Sequence, residues 1–218
     1  MFSAGIICFS DSAASSTITF VSSGAGAASS PNIAVSTRFS TIGSNLIVVA
    51  VGTETTTVSI SDTAGNTYTL VRTDTTTSDY LMTYYCYNPV VTAANKITIN
   101  SLSGYPAVCA AAFSGVATSP LDQQNGFGTT GVTAIQPGSI TPSANNYLLI
   151  SGVMTDYAST FPTPTIDSGF TISNYIPLSG STVGCGLAYL IQTLALPENP
   201  KWSGFALGHC VSSIVSFK

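Results

Sequence analysis

Short runs of β-branched and aromatic residues fill this chain, each bounded by Gly, Pro, Asn, Ser or Asp. Windows with apolar residues at i, i+3, i+4 and i+7 are scarce, so the alternation has the strand period rather than the helical one. The expected strands are 5–9, 17–22, 33–38, 45–52, 57–61, 67–73, 78–88, 96–101, 107–114, 132–135, 146–154, 170–176, 182–192, 202–206 and 209–217. Turn-rich segments such as 22–32 and 155–168 separate them, and VATSPLDQQNGFGTTG (116–131) reads as a surface loop crossing between halves. Many short antiparallel strands pack best as two facing sheets. The expected fold is therefore all-β: an antiparallel, jelly-roll-like β-sandwich in one domain spanning 1–218.

The chain also echoes itself. SNLIVVAVG (44–52) answers NNYLLISGV (145–153), with Leu46 and Tyr147 101 positions apart. AVCAAAFSG (107–115) answers LGHCVSSIVSF (207–217), with Cys109 and Cys210 again 101 apart. Between these anchors SDTAGNTYTLV (61–71) aligns loosely with TIDSGFTISNY (165–175), and SDYLMTYYCYNPV (78–90) with STVGCGLAYLIQT (181–193). Two pseudo-repeated halves, about 1–116 and 117–218, follow.

Composition decides what covers such a fold. Charged residues are 6% of the chain, against roughly 25% in an average globular protein, while the mean hydropathy is +0.39. The chain has the apolar content to fold, and its surface must be made of Ser, Thr, Asn, Gln and Gly. Identical copies repel each other weakly across such a surface. The net charge is -4, and Arg38, Arg72, Lys96, Lys201 and Lys218 are scattered. A basic nucleic-acid footprint is absent. No apolar run reaches the roughly 18 residues that a membrane-spanning helix needs. The start, MFSAGIICFSDSAASS, has a short apolar core and no basic segment before it, so 5–9 is read as a strand and not an export signal.

Reaction motifs are missing from the sequence. His209 is the single histidine, it adjoins Cys210, and no G-x-S-x-G elbow accompanies it; it is read as a structural or surface residue. The nine acids fall in expected loops or near strand ends, with no pair on one strand face. No C-x-x-C or H-E-x-x-H is present. Catalytic, metal and cofactor residues are thus expected to be none. The stretch SDTAGNTYTLV is read as a hairpin corner, because Gly65 and Asn66 tolerate positive φ. A calcium loop needs several oxygen ligands about one centre, and here only Asp62 is charged.

Two groups keep several readings open. Cys8, Cys86, Cys109, Cys185 and Cys210 all sit in apolar runs. They are read as buried small hydrophobes, the alternative being one disulfide per half (Cys86 with Cys109, Cys185 with Cys210) and Cys8 left for a contact between subunits. Tyr85 and Tyr87 share one strand face, and Tyr80 and Tyr84 the other. Packing, a subunit contact and sugar stacking are the three uses open to Tyr85, Tyr87 and Trp202.

The order of NLIVVAVG (45–52), SDTAGNTYTLV (61–71), YYCYNPV (84–90), KITIN (96–100), AAAFSGV followed by SPLD (110–122) and NNYLLISGV (145–153) resembles β-sandwich modules of phage virion and bacterial surface proteins. The resemblance implies a structural or adhesive role rather than catalysis. It brings no catalytic residue with it, and five cysteines depart from its pattern. The resulting expectation is a non-enzymatic virion component (capsid decoration, jelly-roll capsid subunit, or head or tail accessory protein) that self-associates. Its partners are identical subunits or other virion proteins, with no nucleic acid, no membrane and no cofactor. The alternative is a carbohydrate-binding or adhesion module, extracellular or at a cell surface.

Overall fold

The computed structural model describes residues 17–156, 163–178 and 183–218. The strand expected at 5–9, and Cys8 with it, lie outside these. The described residues form strands and no helix: β1 (Thr19–Ser30), β2 (Ile33–Val35), β3 (Leu46–Thr53), β4 (Val58–Asp62), β5 (Thr69–Thr75), β6 (Tyr80–Tyr87), β7 (Ile97–Ser101), β8 (Ala107–Ser114), β9 (Leu121–Ile135), β10 (Tyr147–Asp156), β11 (Thr165–Ile166), β12 (Thr171–Ile176), β13 (Gly184–Gln192) and β14 (Trp202–Phe217).

The first eight strands make one curled sheet in the order β4-β7-β2-β1-β8-β3-β6-β5. Its pairings nest: β1 with β8, β2 with β7 and β3 with β6. A long hairpin rolled on itself produces this nesting, and eight antiparallel strands so rolled are a jelly roll. The corner at 63–68 is the tip of that rolled hairpin. It is not a tight hairpin turn as expected, because β4 pairs with β7 and β5 with β6, not with each other.

The other strands repeat the last five places of this order. In the first half the pairing runs β5-β6-β3-β8-β1; in the second it runs β12-β13-β10-β14-β9. Register repeats as well. Leu46 lies opposite Tyr87 and Phe113, and Leu148 lies opposite Ile191 and Phe217. The counterpart of Leu46 is therefore Leu148, one place beyond the Tyr147 suggested by sequence. One place matters, because it moves a strand side chain to the opposite face: Leu46 and Leu148 face a shared middle core, whereas Tyr147 faces away from it. Cys109 and Cys210 are likewise on non-equivalent faces.

Three hydrophobic cores result. One is enclosed by the first roll around Ile47, Val49, Val51, Ile97, Ile99 and Val108. A second lies on the far face of the other sheet around Leu149, Val153, Trp202, Phe205 and Ile214. The middle core joins the two, with Leu46, Val48, Leu81 and Phe113 from the first half meeting Leu148, Ile150, Met154 and Phe217 from the second. The sheets approach closely there. A Cβ on Gly152 would lie 3.0 Å from Ser213 Oγ and 3.6 Å from Ala50 Cβ.

The segment expected as a crossing loop contains most of β9, a fifteen-residue strand paired along β14. Its Gln, Asn and Gly content resembles a loop because the strand is only partly covered, and because its glycines serve close approach rather than turning. A Cβ on Gly126 would stand 2.3 Å from Asp74 Oδ1, and one on Gly128 2.1 Å from Thr75 O. β9 thus lies against β5 of the other half. Likewise β14 is one strand where two were expected, continuous through Gly204 at φ 90°.

Gly128→Ala is expected to wedge the two halves apart at Thr75 and to lower the unfolding free energy by about 1–3 kcal/mol, the usual cost of overpacking. Urea titration followed by tryptophan fluorescence measures it, since Trp202 lies in the second half's own core.

Candidate functional site

Among the described residues three groups stand out for their chemistry: the Asp62 corner, an Asp79–His209 pair between the halves, and four buried cysteines.

Asp62 ends β4 and organises the tip of the roll. Its Oδ1 accepts from the backbone N–H of Ala64 (3.1 Å) and Asn66 (2.9 Å). Its Oδ2 accepts from Asn66 Nδ2 (2.7 Å), the Tyr68 hydroxyl (2.9 Å) and Asn95 Nδ2 (2.9 Å). Gly65, at φ 76°, gives the turn the left-handed residue it needs. Asn66 then reaches across to the β6–β7 loop, where its side chain accepts from Val90 N (2.6 Å) and donates to Val90 O (3.1 Å). Burial alone would push the Asp62 carboxyl up. The bonds from Asn66, Asn95 and Tyr68 outweigh it and hold the group below its ordinary value of 3.8. Burial, with the Asp62 charge beside it, drives the Tyr68 hydroxyl far upward, so it stays a donor. A carboxylate engaged by five donors is a turn anchor, not a cation ligand. No group of three or more His, Cys, Asp or Glu placed to hold a metal ion occurs among the described residues. The corner recurs in the second half, where Asp167 accepts from Lys201 N through Oδ1 (2.7 Å) and from Phe170 N through its carbonyl (3.3 Å).

Asp79 and His209 were not connected by any sequence signal, being 130 residues apart. Asp79 precedes β6 and is fully buried, while the His209 side chain on β14 is 24% exposed. His209 Nδ1 meets Asp79 Oδ2 at 2.5 Å, and Thr76 Oγ1 donates to the same oxygen at 2.9 Å. A carboxylate on Nδ1 fixes an imidazole's orientation, as it does in hydrolytic triads. General-base chemistry needs in addition a nucleophile in hydrogen-bond reach and donors for the developing charge. What the contact does establish is a polar tie between the halves, beside a second one from Thr83 Oγ1 to Ser213 Oγ (3.1 Å).

The residues expected to meet partners are distributed by the fold. Tyr85 and Tyr87 pack partly buried against the middle core, the Tyr85 ring 5.7 Å from that of Phe217. Trp202 is fully buried, with its indole N–H donating to Ser151 Oγ at 2.9 Å. It offers no face to a partner or a sugar, because its strand turns that side chain into the second half's own core.

Cys86, Cys109, Cys185 and Cys210 are buried free thiols. The disulfides considered within each half are ruled out by strand parity. Cys86 faces the first roll's core and Cys109 the middle core; Cys185 faces the middle core and Cys210 the far one. Burial raises the Cys86 thiol to about 11, with the Asp62 charge adding, and burial raises Cys210 to about 12.

Scans against family models, curated proteins and solved structures return no match. The geometry therefore carries the functional argument by itself.

Two outcomes are expected. Because the folded Asp62 carboxyl sits below 3.8, its stabilisation is complete above that pH and is lost as pH falls through the lower folded value. Asp62→Asn should cost about 1 kcal/mol at neutral pH, a figure discounted for partial exposure. The gap from wild type should close in urea titrations run below pH 4, near the carboxyl's ordinary 3.8. A double-mutant cycle on Asp79→Asn and His209→Gln should show a coupling of about 0.5–3 kcal/mol; additive effects would mean that the contact does not join the halves.

Proposed function

We propose that this protein is a non-enzymatic structural component that works by associating with identical copies, with a virion as the setting that suits it best. One observation carries the reading: the outer face of β2, β7 and β4. Register places Ile33, Asn100 and Ser59 in one row and Val35, Thr98 and Ser61 in the next. None of the six is charged. Ile33 and Val35 are 42% and 40% exposed, while alternate residues Ala34, Ile97 and Ile99 fill the roll. β4 closes the sheet order on this side, and its one acid, Asp62, is drawn into the corner. Natural edge strands are normally guarded by Lys, Pro or inward charges. A face with so little charge, on a chain in which charged residues are 6%, suits close contact with another uncharged face.

A roll packed against a second sheet through a shared apolar core also gives a block whose building surfaces are strand faces, which suits a repeating assembly. The glycan-binding alternative loses its largest aromatic candidate, because Trp202 is interior.

Light scattering behind a sizing column tests the proposal. A discrete oligomer or a polymer is expected, and Ile33→Lys with Val35→Lys should reduce it to monomer with an unchanged circular dichroism spectrum. A stable contact should bury roughly 1,200 Å² or more. A wild-type monomer at every concentration, or an oligomer indifferent to the two lysines, would overturn self-association through this face.

A further inference from the structure

Cys109 and Cys185 come from different halves and meet in the middle core. Both are fully buried. The Cys109 thiol donates to the carbonyl of Cys185 at 3.3 Å. The Cys185 thiol donates to the carbonyl of Ala50 at 3.6 Å, and Ala50 is the residue paired with Cys109 across β3 and β8. Each thiol thus reaches the backbone beside the other. Burial, followed by the Cys185 side chain, pushes the Cys109 thiol well above the usual thiol range.

The geometry points to Cys109–Cys185 as a disulfide site that staples the two halves through the middle core under oxidising conditions. Such a bond needs the Cβ atoms about 3.8 Å apart and the sulfurs about 2.05 Å apart. Small residues surround the pair on its own face, since Ala107 and Ala111 stand on either side of Cys109 along β8 and Ala50 lies opposite it on β3. The other thiols are excluded by the faces they occupy: Cys86 and Cys210 lie in separate outer cores, with a sheet between each and this pair.

A small-molecule disulfide such as oxidised glutathione is the oxidant. One cysteine thiolate attacks it, forming a mixed disulfide and releasing one glutathione thiolate. The second cysteine thiolate then attacks the protein sulfur of the mixed disulfide, forming the internal bond and releasing the second glutathione. Two protein thiols lose two electrons and two protons, and one glutathione disulfide becomes two thiols. Neither cysteine is accessible once the middle core has closed, so the bond forms during folding or on transient opening. Its stabilising effect comes from a covalent tie between strands far apart in the chain, which restricts the unfolded ensemble. The inference does not rest on self-association, because an internal bond leaves the assembly mass unchanged.

The experiment refolds the full chain from denaturant in oxidised or reduced glutathione. The oxidised product should be lighter by two hydrogens, and non-reducing peptide mapping should join the peptides that hold Cys109 and Cys185. Its urea midpoint should be higher, and reductant added in denaturant should abolish the increase. Cys109→Ala and Cys185→Ala, each lowered somewhat by the lost buried volume, should show one midpoint whether refolded in oxidised or reduced glutathione. Free Cys109 and Cys185 after oxidative refolding, a different pairing, or a cross-linked product with no higher midpoint would each overturn the proposal.

Discussion

The middle core is the contact on which the rest of the molecule depends. Each sheet has one face closed over its own core and another that would be a bare apolar surface if it stood alone. Leu46, Val48 and Phe113 on one side, and Leu148, Ile150 and Phe217 on the other, are fully or almost fully buried only because the two faces meet. Close approach requires small residues where the backbones converge. Gly52 shows it well: a Cβ there would stand 3.0 Å from Met154 Cγ and 3.3 Å from the carbonyl of Gly184. Adding volume at such points costs as much as removing it elsewhere, since interiors are packed like crystals.

Scarcity of charge shapes how the remaining polar groups are handled. With few Lys and Glu to place outside, hydroxyls and amides carry the satisfaction of buried groups. Ser212 Oγ donates to Gly152 O at 3.0 Å, Ser151 Oγ to Ser213 O at 3.0 Å, and Ser216 Oγ to Asp122 Oδ2 at 3.1 Å. Short hydroxyl side chains lose little rotamer entropy on burial compared with Lys or Arg. The same economy leaves the outer surface nearly neutral, and so the packing of the interior and the proposed association between copies have one compositional origin.

The acids divide by the same logic. Asp62, Asp79 and Asp74 do not face solvent as free charges. Asp62 anchors the tip of the roll, Asp79 ties the halves through His209, and Asp74 pairs with Arg72 beside Gly126 of β9. Asp62 draws Asn95 from the loop before β7 and Asp79 draws His209 from β14, so these two hold separate elements together, whereas the Arg72 partner of Asp74 lies on the same strand, β5.

The alternating runs determined the all-β class and most strand positions, because side-chain period and turn residues are local properties of a chain. They also marked Asp62, Gly65 and Asn66 as a corner. What they could not supply was pairing partners. Strand parity depends on register to a single residue, so matching Leu46 to Tyr147 rather than Leu148 assigned opposite faces, and the cysteine pairs within each half failed because their members face different cores. β9 was hidden because its glycines answer to Asp74 and Thr75 on a distant strand. Trp202, an aromatic at a strand start, proved interior, and Asp79 found His209 across 130 residues. These are decisions of tertiary structure. They rest on which surfaces meet, and the free energy of that meeting belongs to both halves together and to neither stretch of sequence alone.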